Sequence, residues 1–185
     1  MKIEFCKIGE RRYAIKILRD NFPDLEMNPA PGFDDLMPHD MCHLIVEQVL
    51  SIENGIFGQI AKGGTAGSFR NPPSETVNTK KDSRQRRKDK EKGKKIVKQN
   101  SDDLAKSERA TYVCWQNWLS HSDDLKLKQR AEEMKEDAEI IRMQMSDAER
   151  AIYTKENLAR VRARMDELSA IWRSLSIGEK MLVEE

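Results

Sequence analysis

The sequence predicts an α+β protein in three parts: a small N-terminal antiparallel β-meander packed on one helix (residues 1–69), a basic flexible linker (70–100) and a C-terminal α-helical hairpin or coiled coil (101–185). Three observations predict it. Apolar residues recur at every second position near the N-terminus, at alternating three- and four-residue steps near the C-terminus, and hardly at all in between. With 38% hydrophobic and 35% charged residues among 185, composition also argues against one large core.

The elements follow in order. Ile3 and Phe5 alternate with polar neighbours, Gly9-Glu10 offers a turn, and Tyr13, Ile15 and Ile17 resume the period of two, which predicts a hairpin. Asn21-Phe22-Pro23-Asp24 is turn chemistry, and Leu25 and Met27 supply one face of a short third strand that Pro29 and Pro31 should stop. Three strands leave one apolar face to be covered. The cover is a helix from about Pro38 to Ile52, because Met41, Cys42, Ile45, Val46, Val49, Leu50 and Ile52 share about half of the helical wheel. Asp34 and Asp35 are candidate caps, and Asn54-Gly55 is the expected C-terminal stop. A unit of this size buries little, so it should lean on the C-terminal helices or on a second copy. The glycine-rich stretch 55–69 lacks both the Walker pattern and a clean G-x-G-x-x-G. It reads either as an anion-binding cradle or, better, as a loop pinned to the core by Phe57, Ile60 and Phe69.

Three segments in this region carry a resemblance: Met27 to Asp35, the pattern Pro38-His39-Asp40-x-x-His43-x-x-Val46-Glu47, and the glycine and phenylalanine spacing from 55 to 69. Together they resemble a group of short, uncharacterised bacterial proteins, over roughly residues 1–70. The resemblance implies a bacterial protein that begins with a β-hairpin and a helix. It implies no activity.

The net charge of +1 hides a segregation. Residues 1–78 carry −3, residues 79–98 carry +8 and residues 99–185 carry −4. The middle holds Lys80, Lys81, Arg84, Arg86, Arg87, Lys88, Lys90, Lys92, Lys94, Lys95 and Lys98, with almost nothing apolar to offset the cost of ordering the chain. It reads as a linker able to contact nucleic acid through phosphates and without sequence preference.

Beyond it, Asn100-Ser101-Asp102-Asp103 caps a helix that carries Leu104, Val113, Cys114, Trp115, Trp118 and Leu119, and Ser120 to Asp123 interrupts it. Two apolar series follow. The first runs Leu127, Ala131, Met134, Ala138, Ile141, Met145, Ala148, Ile152, and the second Leu158, Val161, Met165, Leu168, Trp172, Leu175. A six-residue step separates them, so either Ser146-x-x-Glu149 or Thr154 caps a new helix and the chain folds back, or one long helix carries a phase defect. Leu127, Met134, Ile141, Leu158, Met165, Leu168 and Trp172 form the interaction seam, within one chain, with a second copy or with a protein partner.

For chemistry, the three cysteines lack any C-x-x-C, and Cys42 and Cys114 fall on apolar faces as small hydrophobes. The exception to a bland surface is the row His39, His43, Glu47. Histidines at i and i+4 on a helix are spaced to share an ion, and zinc is the natural candidate. Glu47 stands about 12 Å along the axis from His39, too far to share it, and reads as a partner that orients His43 from behind. Asp40 occupies the place of a general base, and a third ligand has to come from Asp34, Asp35, Asp40, a C-terminal carboxylate or His121. Two functions therefore stand. One is a non-enzymatic interaction or assembly module with a helical arm and a basic belt; the alternative is a metal-dependent hydrolase. The chain has no apolar run long enough for a membrane span and no signal-peptide pattern, which predicts a soluble cytoplasmic protein.

Overall fold

The structure, a computed structural model, describes residues 1–72 and 101–184. The basic residues offered to nucleic acid, Lys80 to Lys98, lie outside the described residues. Strands β1 (Lys2–Gly9), β2 (Arg12–Leu18) and β3 (Leu25–Ala30) form the expected antiparallel meander. Ile3 pairs with Ile17 and Phe5 with Ile15, so the alternating apolar residues fall on one buried face. β3 does not stop at Pro29 but continues to Ala30. The register shifts between the Tyr13 and Ile15 pairs, and β3 is an edge strand, where a proline without an N–H is tolerated. Arg70, at the start of the expected linker, is tied to this edge by backbone hydrogen bonds with Glu26 in both directions.

The fourth strand, β4 (Lys180–Glu184), comes from the far end of the chain and pairs with β1, giving the order β3-β2-β1-β4. Met181 opposite Phe5 and Val183 opposite Ile3 complete the buried face. The turn into β4 is fastened to β1: Lys7 donates its N–H to the Glu179 carbonyl (2.9 Å) and accepts from the Gly178 N–H (2.7 Å). Both ends of the chain thus share one sheet, and a continuous core joins sheet and helices where composition had argued against one.

Helix α1 (His39–Leu50) covers the sheet with Met41, Cys42, Leu44, Ile45 and Val46 buried. It stops at Ser51, which takes the left-handed conformation, and not at Asn54-Gly55. Gly55 instead caps the start of a short helix, α2 (Ile56–Ala61), so the glycine-rich stretch is not all loop. Phe57, Ile60 and Phe69 are buried, as the pinned reading requires.

The remaining helices are α3 (Ser101–Ser120), α4 (Leu125–Glu133), α5 (Lys135–Gln144), α6 (Asp147–Arg150) and α7 (Lys155–Ser174). Both candidate caps are used: Ser146 accepts the Glu149 N–H and Thr154 the Asn157 N–H, each at 3.1 Å. A further break falls at Met134, between α4 and α5. Rather than facing one another as a hairpin, the two apolar series face α3. α4 and α5 pack on α3 from one side, while α7 packs on α3 and α1. Met165, Leu168 and Trp172 are buried in this arrangement, and Leu127, Met134, Ile141 and Leu158 are half-buried. Trp172 reaches the sheet, its ring edge-on to Tyr13 at 6.2 Å. Among the described residues, no helix is long and apolar enough to cross a membrane.

Candidate metal centre

α1 opens at His39, directly after Pro38, and its first two turns carry both histidines. The i, i+4 step brings the rings together edge-to-face, with centroids 4.7 Å apart. The preceding loop seats the first of them. His39 donates its backbone N–H to the Gly32 carbonyl (3.1 Å), and a Cβ at Gly32 would stand 2.8 Å from the His39 Cβ. Gly32 also has φ of +74°, so approach and backbone conformation both demand glycine there.

The third group comes from α3. His43 Nε2 lies 3.5 Å from Glu108 Oε2, and ligand atoms of His39, His43 and Glu108 all lie within 4.8 Å of one another. Ligands around one zinc ion at about 2.1 Å stand about 3.4 Å apart, so a modest rotation of the exposed His39 and Glu108 side chains closes the set. His43 is the fixed member. It is 1% exposed, and its Nδ1 lies 2.9 Å from Ser107 Oγ and 3.1 Å from Thr111 Oγ1. The Ser107 hydroxyl donates its only proton to Glu47 (2.6 Å), so its oxygen accepts from Nδ1–H and leaves the Nε2 lone pair toward His39 and Glu108. Desolvation, with His43 close by, lowers the His39 pKa and keeps the ring neutral and able to ligate.

Glu47 does reach His43, but only through Ser107. Its main partners are the N-terminal amides of α2: Ile56 (2.6 Å), Phe57 (2.8 Å) and Gly58 (3.4 Å). The anion that the glycine-rich stretch binds is therefore the protein's own carboxylate. Gly55 makes room for it, since a Cβ there would stand 2.3 Å from the Glu47 carboxyl.

Asp40 is not placed as a base for this centre. Its buried carboxyl meets the Tyr13 hydroxyl, which also reaches the Pro31 carbonyl. One O–H proton serves one acceptor at a time, so a protonated Asp40 completes the other bond, and burial raises its pKa in that direction. The other candidate ligands are engaged or apart. Asp34 pairs with Arg130 at 2.7 Å, His121 bonds the Asn117 carbonyl at 2.8 Å, and Asp35 is exposed. Burial pushes the Cys114 thiol up to about 12 and the Cys42 thiol well above its usual value, so neither is a ready nucleophile. Trp115 and Trp118 pack edge-to-face at 5.1 Å as core residues.

Ser107, Glu108 and Thr111 stand in no motif. Their signal is positional: at 100° per residue they fall in the same arc of α3 as Leu104, Trp115, Trp118 and Leu119. Polar residues inside an apolar arc, with Ser107 and Thr111 at most 2% exposed, mark a buried polar contact. His39, Glu108 and Thr111 also line a cleft of about 300 Å³ whose other walls include Phe33, Met37, Trp115, Arg130 and Met134. Comparison of the chain with known protein families, with curated proteins and with solved structures finds no match in any of the three.

Proposed function

We propose that the protein is a metal-dependent hydrolase in which His39, His43 and Glu108 hold a divalent ion, with zinc the best fit to the donor set. The observation that carries this reading is the convergence of two imidazoles and one carboxylate, of which His39 and Glu108 line a cleft. Structural zinc sites are closed by four protein ligands, whereas catalytic ones use three and leave a position open. Here three groups converge, and the described residues add no fourth His, Cys, Asp or Glu to the set. A divalent ion would supply a water that ionises near neutral pH, which removes the need for Asp40 as a base. The chain's own part is to fix His43 through Ser107 and Glu47, to keep His39 neutral, and to shelter the open side with the apolar cleft.

Titration calorimetry with zinc, manganese and nickel on wild type, His39→Ala, His43→Ala and Glu108→Gln tests the reading. One ion per chain, with affinity reduced about 100-fold or more in each variant, supports it. Indistinguishable wild type and variants would end it. Turnover of a chromogenic ester that disappears with chelator and in Glu108→Gln would support the hydrolytic assignment.

The interaction-module reading keeps one observation in its favour. Ile140 (46%) and Met143 (76%) are exposed one turn apart on α5, outside the expected seam. Light scattering of wild type and Met143→Glu tests it: an oligomer that the variant dissolves supports it, and a monomer for wild type removes self-association.

A further inference from the structure

The cleft beside the three groups has a second polar feature, Arg130. Its Nη2 donates to Asp34 Oδ2 at 2.7 Å, and its guanidinium lies over the Trp115 ring, 5.5 Å from the centroid. Asp34 is in turn held by the Leu36 N–H at 2.9 Å. Two restraints thus fix the plane of the fork before anything binds. Among the described residues, its Nε and Nη1 make no hydrogen bond, and the side chain is 42% exposed. A guanidinium fixed in this way, with N–H donors to spare, is suited to accept a planar carboxylate.

Charge adds a condition. Asp34 offsets Arg130, and Glu108 leaves the empty cleft net negative. A divalent ion on the three ligands reverses that sign. Between the two polar ends, Phe33, Met37, Trp115 and Met134 offer apolar and aromatic walls, and about 300 Å³ is at the small end for a ligand pocket.

We propose that this cleft binds a small organic carboxylate with an apolar body, its carboxylate on Arg130 and its other end toward the metal ligands, so that ion and anion bind cooperatively. The proposal rests on the metal reading above and deepens it by naming the substrate class.

The probes are phenylacetate and its neutral isostere phenylacetamide, titrated calorimetrically into zinc-loaded and zinc-free protein. Phenylacetate should bind the zinc-loaded wild type at least about tenfold more tightly than phenylacetamide does, and at least about tenfold more tightly than it binds zinc-free protein. Arg130→Gln should lose this preference while taking up zinc as wild type does. Equal affinity for the two probes, measured on wild type alone, would overturn the proposal even if the variant folded poorly. Phenylacetate affinity retained in Arg130→Gln would also overturn it, because the carboxylate would then be bound by zinc itself. Either failure leaves zinc uptake intact. Failure of the metal reading instead shows as no zinc uptake by wild type, which removes this proposal with it.

Discussion

His39 and Glu47 stand two turns apart on one row of α1, and their surroundings divide them. At the C-terminal end, Glu47 receives three amide N–H groups and the Ser107 hydroxyl, so its acceptors are met inside the fold. At the N-terminal end, His39, the His43 Nε2 lone pair and the Glu108 carboxylate converge from two helices, and all three are acceptors. A carboxylate surrounded by donors is a structural device. Acceptors gathered around one point call for a proton or a cation between them. The same residue row thus contains a closed end that holds α2 in place and an open end whose acceptors gather beside a cleft.

The largest expected effect strikes both ends at once. Trp172→Ala removes a fully buried ring that meets Tyr13 of β2 from a helix packed on α1, and should cost about 3–5 kcal/mol in urea unfolding, with α2 and the histidine pair disturbed together. A loss confined to α7 would show that the two halves fold apart. Glu47→Ala comes next, because the buried α2 amides lose their acceptor; we expect about 2–4 kcal/mol. His39→Ala should cost about 0.5 kcal/mol or less in the metal-free protein, since the side chain is exposed. If His39→Ala cost as much as Glu47→Ala, the contrast between the two ends would fail.

The smallest effects are in pH dependence, and they carry opposite signs. The folded His39 value lies below the ordinary 6.5, so its contribution to metal-free stability is present above 6.5 and is lost as pH falls from there toward the lowered value. Asp40 behaves in reverse. Its folded value lies above the ordinary 3.8, so its contribution is full below 3.8 and is lost as pH rises through the raised value. Asp40→Asn should therefore gain on wild type in thermal unfolding as pH rises from acid to neutral. Parallel curves for the two proteins would place the Asp40 carboxyl in water.

Much of this contrast was legible in the residues, and its limits have physical causes. The period-two pattern located β1, β2 and β3, and the apolar arc located α1, because local burial dictates both. β4 was not legible: Lys180 to Glu184 is five residues with one exposed leucine between two buried positions, and only its pairing with β1 gives it a role. The apolar series predicted helices, and Ser146 and Thr154 stood as alternative caps of which both are used, but nothing showed that α3 lies between the two series. Spacing states which face is apolar and leaves the partner open. At the site, i, i+4 spacing brought out His39 and His43, and their separation from Glu47 was readable from helix rise alone. Glu108 shares the apolar arc of α3, but it is one acidic residue among many, and nothing in the sequence shows that α3 brings it beside the two histidines of α1.

The most direct test is diffraction from crystals soaked in zinc, with anomalous differences measured on either side of the zinc edge. The account predicts a single strong site between the His43 Nε2, His39 and Glu108 side chains, present in wild type and absent in His43→Ala. A map with no peak there, or a peak that persists in His43→Ala, would contradict it.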